Sequence, residues 1–203
     1  MSKYQHDVPE ELKPEFDASR VRVADYKLHR LTHAEKTRTL LAKNKTGVLS
    51  TLLADEEEAT PFGSIINYAL DANETVFFFG SKLAEHSTNL NKNSRAALFV
   101  YEEKEGKDGD QLAVARATLV GKLVKVEKTK ELIDTFQLKH PSANYVLYDD
   151  FSVYMFTELS RVRYIAGFGE MSWVDENEIA SARSDPVALG GRVCHQAHEL
   201  GPR

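Results

Sequence analysis

From Thr46 to Val174 apolar and polar positions mostly alternate, in short bursts divided by turn residues, and this period of two predicts a chain built mainly of β-strands. Gly47-Val-Leu-Ser-Thr-Leu-Leu53 and residues 62–70 flank the acidic turn Asp55-Glu56-Glu57-Glu58, the arrangement of an antiparallel hairpin. Asp71-Ala72-Asn73 supplies the next turn. Residues 75–79 are apolar on both faces, which predicts a central place in a sheet or barrel. Residues 96–101 form a further strand, and the charged stretch 102–110 reads as a solvated hairpin loop. Residues 112–126 are too many for one straight strand, so Gly121 is expected to mark a bulge or corner. Strands over 151–159 and 163–174 complete the set, with Gly167-Phe168-Gly169 interrupting the last.

Three segments break this period. Thr32-His33-Ala34-Glu35 fits a capping box, in which hydroxyl and carboxylate satisfy each other's backbone donors, and predicts a helix over 33–43. Leu83-Ala-Glu-His-Ser-Thr-Asn-Leu90 reads as a short polar helix feeding a buried strand. Residues 128–139 carry Leu132, Ile133 and Phe136 on one helical face and stop before Pro141. Some seven strands with flanking helices predict an α+β protein, mainly β, whose antiparallel sheet closes into a small barrel and so removes its exposed edges. The expected organisation is an N-terminal arm over 1–30, a barrel domain over 31–178 and a C-terminal tail over 179–203.

Composition narrows the function classes. With 203 residues, 42% hydrophobic and 28% charged, the chain has material for one well-filled core. A net charge of −5 argues against a nucleic-acid surface, which needs a concentrated basic face. No apolar run approaches the roughly 20 residues needed to cross a bilayer, and residues 1–20 lack a secretory apolar core, so no membrane partner and a cytoplasmic address are expected. The single cysteine, Cys194, excludes an intramolecular disulfide framework and an all-thiolate metal site.

Ser81, Lys82, His86 and Asn89 gather at the start of the polar helix. The unpaired N–H groups and partial positive charge of a helix start can hold a phosphate or propionate. The same residues also admit a structural reading, with Ser81 as cap, Lys82 solvated and His86 packed on a strand. Arg116 interrupts an apolar strand and needs a carboxylate, a ligand or solvent, with structural ion pairing favoured. Arg161 and Arg163 alternate with Val162 and share one strand face, where two guanidiniums can chelate carboxylates or phosphates, though an exposed strand face accounts for them equally well. His195 and His198, at i and i+3, are spaced for an iron ligand if the tail is helical there. Trp173 and Phe168 read as core or interface aromatics that can also wall a planar cofactor. No Gly-x-Ser-x-Gly elbow, Gly-x-Gly-x-x-Gly turn or phosphate loop is present, which argues against a serine hydrolase, a Rossmann enzyme or a P-loop NTPase.

Several segments, in order, resemble the flavin-binding split-barrel superfamily of pyridoxamine 5'-phosphate oxidase, and more closely its HugZ-type and CREG-like branches. They are Gly47-Val-Leu-Ser-Thr-Leu, Pro61-Phe-Gly-Ser64, Leu83-Ala-Glu-His-Ser-Thr-Asn-Leu90, Arg116-Ala-Thr-Leu-Val-Gly121, His140-Pro-Ser-Ala143, Asp150-Phe151 and Gly167-Phe-Gly169. The resemblance implies a homodimeric split barrel with cofactor clefts between subunits, occupied by FMN, by haem, or by nothing in a CREG-like scaffold. It implies that Ser64 lines the cleft, that Lys82, His86 and Asn89 face the cofactor's headgroup, and that Arg116 lies on a neighbouring strand. It also implies an iron-ligating histidine in the C-terminal segment, a part that falls to His195 or His198. Where the HugZ-type pattern reads His-Thr-Arg-Asn-Leu, this chain reads His86-Ser87-Thr88-Asn89-Leu90. Losing that guanidinium from a phosphate site removes about 1.5 to 3 kcal/mol, which ranks haem ahead of FMN. The expected function is therefore haem binding, with oxidative degradation of haem as a further step, against an FMN-dependent oxidoreductase or a non-catalytic scaffold.

Overall fold

The computed structural model describes residues 30–54, 59–102, 110–167 and 169–190. Helix α1 (His33–Lys43) begins at the capping box: Glu35 N–H donates to the Thr32 hydroxyl at 3.2 Å, and Thr32 N–H donates to the Glu35 carboxylate at 2.7 Å. Eight strands follow among the described residues: β1 (Thr46–Leu52), β2 (Pro61–Asn67), β3 (Ala69–Leu70), β4 (Val76–Ser81), β5 (Arg95–Tyr101), β6 (Ala115–Val126), β7 (Phe151–Ala166) and β8 (Glu170–Val174). Helix α2 (Glu85–Lys92) joins β4 to β5, α3 (Lys130–Lys139) lies between β6 and β7, and α4 (Glu176–Ser181) follows β8. Among the described residues no helix is long and apolar enough to cross a membrane.

Every pairing is antiparallel, in the order β2-β1-β5-β6-β7-β4-β3, with β8 on β7. Strands β2 and β3 are one bent segment. Before Tyr68 it pairs with β1, and after it with β4, so the path of pairings returns to the strand from which it set out. The sheet thus curls into a split barrel.

The long β6–β7 pair makes the curl possible. Its register shifts between Val120 and Gly121 and again between Lys122 and Leu123. A Cβ at Gly121 would stand 1.9 Å from the Glu158 carbonyl oxygen, so the expected corner is a place where only glycine fits. On one side of this bulge β7 pairs with β8, on the other with β4.

The interior is built row by row. Leu49, Leu98, Leu119, Val162 and Val174 lie opposite one another across five strands, each fully buried. Leu40 and Leu41 of α1, Leu90 of α2 and Ile179 of α4 join this core. Strand β4 serves two cores: Phe78 points into the barrel, while Phe77 and Phe79 pack with Phe136 of α3 in a second cluster. That division explains a strand apolar on both faces.

One expectation changes. Residues 151–166 are one continuous strand, where 151–159 and 163–174 were expected as separate strands; the polar run at 157–161 is strand backbone passing the bulge, still paired with β6. The expected interruption at Gly167 and Gly169 is present, between the end of β7 and the start of β8, and both glycines adopt left-handed φ, of 59° and 94°.

After α4 the chain remains tied to the barrel. Buried Arg38 donates to the Ile179 carbonyl through Nε at 3.1 Å and Nη2 at 2.7 Å, and through Nη1 to the Glu74 carbonyl. The Glu74 carboxylate accepts from the Ser184 hydroxyl at 2.6 Å and Ser184 N–H at 3.1 Å, and Asp185 N–H donates to the Thr39 hydroxyl at 2.9 Å. Residues 1–29, the predicted acidic turn at 55–58, the predicted loop at 103–109, Phe168 and the far end of the predicted tail, 191–203, lie outside the described residues.

Replacing Gly121 with Ala forces the β6–β7 bulge apart; urea unfolding is expected to show a loss of about 1–3 kcal/mol or more. Stability also depends on pH. Burial lowers the pKa of His140, whose Nε2 bonds the Tyr68 carbonyl at 2.9 Å, and burial likewise lowers that of His86. The unfolded chain therefore binds more protons below about pH 6.5, so stability is fully present above that pH and falls as pH drops toward the folded-state values. Unfolding midpoints measured from pH 8 to 5 should decline on the acid side, and His140→Gln should flatten that decline.

Candidate functional site

Because side chains alternate across a strand, burying the Leu49 row turns its neighbours outward. Ile65, Val48, Phe99, Thr118, Arg163 and Trp173 form one outward row in register across six strands. Tyr101, Arg116, Ile165 and Met171 form the next. Ile65 is 78% exposed, Trp173 55% and Met171 54%, so this sheet face turns large apolar groups to solvent. Contiguous apolar surface of that kind marks a contact or ligand face.

Three arginines punctuate it. The Arg161 and Arg163 guanidiniums stand 5.3 and 5.2 Å from the ring centroid of Trp173, the chain's only tryptophan, within cation–π range. Their expected common face is therefore present. Arg116 was expected in an ion pair; instead its Nη1 donates to the Leu112 carbonyl at 2.6 Å and the Val114 carbonyl at 3.3 Å. The short 3₁₀ turn Gln111–Ala113 just before β6 offers those carbonyls. Among the described residues no carboxylate lies within ion-pair distance of Arg116, Arg161 or Arg163.

Beside these rows lies a groove of about 360 Å³, lined by Ser50, Leu52, Pro61, Ala97 and Val120 with Arg95 and Lys122. Ser50, Ala97 and Val120 are in register with one another and keep the parity of the outward rows. Small side chains there leave a shallow apolar floor. Lys122 is paired with Glu158 at 2.7 Å, so Arg95 carries the groove's unbalanced positive charge. Arg95 did not figure among the expected site residues; its place two positions before Ala97, with the same parity, was the signal available.

The α2 entrance is a separate group. Ser81 was expected to cap this helix, but the N-cap is Ala84, with no side-chain bond. Ser81 instead accepts from Leu83 N–H at 3.2 Å and donates to Asp150 at 3.2 Å. Lys82 is exposed, and half-buried His86 meets the Phe78 ring edge-on at 5.7 Å. Asn89 is fully buried, and its amide is spent within the fold: it accepts from Ala54 N–H at 2.9 Å and donates to the Thr51 hydroxyl at 3.0 Å. Ser64 lies opposite Leu49, so it shares the inward parity, and its buried hydroxyl has no hydrogen-bond partner among the described residues. The nine expected residues thus fall into groups: Arg116, Arg161 and Arg163 outward, Lys82 and His86 at the helix entrance, Ser64 and Asn89 inward. His195 and His198 lie outside the described residues. Among the described residues no cluster of three or more His, Cys, Asp or Glu is placed to hold a metal ion.

Comparison with known proteins fits this geometry. Residues 28–181 match the family model described as CREG, beta-barrel. The chain is 33% identical over 177 residues to the non-canonical heme oxygenase HOZ, chloroplastic, of Arabidopsis thaliana, covering 83% of this chain and 52% of that protein. It therefore spans about half the length of the curated relative it matches. Among solved structures it is similar to a heme binding protein from Mycobacterium smegmatis, with a TM-score of 0.68 and 31% identity over 77% of this chain and 63% of the other. Campylobacter jejuni ChuZ shares the fold, with a TM-score of 0.62 at 16% identity over 88% of this chain and 75% of that one. With three quarters of its length matched to one family model and the split barrel that the resemblance implied, the chain belongs to the CREG β-barrel family.

Proposed function

We propose that this protein binds haem in a cleft that forms when two copies of the chain bring their outward sheet faces together. The observation that carries the reading is the face itself: apolar rows, one exposed tryptophan and guanidiniums without carboxylate partners among the described residues. Burying Arg161 and Arg163 against another chain leaves charges that need an anion, and a flat ring bearing two propionates supplies both the apolar plane and the charge. The residues present fit such a group. Ile65, Val48, Phe99 and Trp173 would wall a planar ring, while Arg161, Arg163 and Arg95 would donate to its carboxylates in charge-assisted bonds. Bound there, haem supplies a redox-active iron. His195 or His198 of the C-terminal segment would supply the histidine that holds its iron. The likeness to a heme oxygenase and to a heme binding protein supports the same reading, and oxidation of the ring is the activity it suggests.

FMN is the second reading, favoured by one feature. Helix α2 starts without a side-chain cap, beside Lys82, and leaves donors for a phosphate. Thr88, where a HugZ-type arginine is expected, weakens it.

Titration of the purified chain with hemin tests these readings. A saturable Soret band, quenching of Trp173 fluorescence and a dimer by sedimentation are expected. The Arg161→Gln, Arg163→Gln double variant should weaken binding by at least about tenfold. The His195→Ala, His198→Ala double variant should lose the Soret shift. A protein that ignores hemin and carries a yellow chromophore reads as a flavoprotein, one that takes neither reads as a scaffold, and a persistent monomer removes the shared cleft.

A further inference from the structure

The outward sheet face is stepped along its strands. On β5 the outward side chains read Arg95, Ala97, Phe99 and Tyr101, so a small residue stands beside two rings that stack with their centroids 5.9 Å apart. Neighbouring strands carry the same step. In register with Ala97 lie Gly63, Ser50 and Val120, and the last two floor the shallow groove. A Cβ at Gly63 would meet nothing within 4 Å. In register with Tyr101 lie Arg116, Ile165 and Met171, all longer side chains. The low row and the high row are four residues apart, about 13 Å along the strands, with the Phe99 row midway between them.

A face with a hollow at one end and a ridge at the other complements itself when it is turned end for end, and a two-fold dimer presents the same patch from both copies. The area is of the right order. Ile65, Trp173, Met171, Tyr101 and Val48 together leave on the order of 500 Å² of side chain exposed, more than half of the roughly 800 Å² that each partner contributes to a stable interface.

We propose that the occupant of this face is a second copy turned end for end, with Phe99 at the pivot and Tyr101 of each copy seated in the hollow over Ala97 of the other. The proposal rests on the shared-cleft reading above and fixes the orientation of its two halves. The two-fold axis then lies in the face and runs across the strands. Each strand meets its own counterpart in the opposite direction, so β7 and β8 of both copies come together and their guanidiniums border the cleft from both sides. One copy alone leaves that border incomplete. An axis running along the strands instead would set Tyr101 on Tyr101 and hollow on hollow, which crowds one end of the interface and leaves a void at the other.

The test uses the full-length chain carrying Cys194→Ser, so that introduced cysteines are the only thiols, together with a short bismaleimide cross-linker. Phe99→Cys is expected to link to itself, and Tyr101→Cys mixed with Ala97→Cys to form linked pairs, because these positions face each other across about 10 Å. Ala97→Cys alone and Tyr101→Cys alone hold their thiols roughly 16 Å apart and should link at least about tenfold more slowly. Filling the hollow with Ala97→Trp should weaken the dimer at least about tenfold by sedimentation, with an unchanged far-ultraviolet circular dichroism spectrum showing the barrel intact. Self-linking of Ala97→Cys or Tyr101→Cys as fast as the mixture, no link at Phe99→Cys, or an Ala97→Trp dimer as tight as the unaltered one would each overturn this orientation while the shared cleft stands. An unaltered chain that stays monomeric with and without hemin overturns both.

Discussion

The contact between Gly121 and the Glu158 carbonyl is the constraint on which the barrel depends. A sheet of long, straight strands cannot both cover a core and return to its first strand, and the return needs a corner. Here the corner is one missing side chain: the backbone of β7 comes so close that a Cβ at Gly121 would fall 1.9 Å from the Glu158 oxygen. With the register shifted at that point, the two arms of β7 take different neighbours, β8 on one and β4 on the other. The inward leucine row and the outward arginine-bearing row both follow, because each strand's parity is set relative to this shared pair.

The same parity makes inside and outside mutually dependent. Every residue that seals the barrel has a neighbour that cannot, and across six strands those neighbours build the apolar outer face. In a protein of this size the core is already filled by the inner row and the helices, so the outer apolar groups are surplus to folding. They are useful only against something else, and the arginines set among them give that something its charge.

Local signals were the readable part of this chain. The capping box at Thr32 and Glu35, the antiparallel β1–β2 pairing and the two-sided apolar run of β4 each declare themselves within a few residues, and each was found as expected. The shared face of Arg161 and Arg163 was equally legible, because strand parity needs only their spacing. What escaped depends on partners far along the chain. The polar run at 157–161 looks like a break, and only its pairing with β6 keeps it a strand. Asn89 reads as a headgroup ligand until Thr51 and Ala54 are seen to occupy its amide, and the turn carbonyls that hold Arg116 have no mark in side-chain chemistry. Arg95 gains its meaning only from the small floor beside it.

Tyr68 illustrates how much one position can be asked to do. It is the joint between β2 and β3, its hydroxyl steadies the end of α1, its carbonyl receives His140 and its ring lies under Lys139. Phenylalanine would keep the plane and lose the tether to the helix; a smaller residue would lose both and open a void in the seam. Such a crossroads leaves almost no acceptable replacement, so drift over generations should be slowest there.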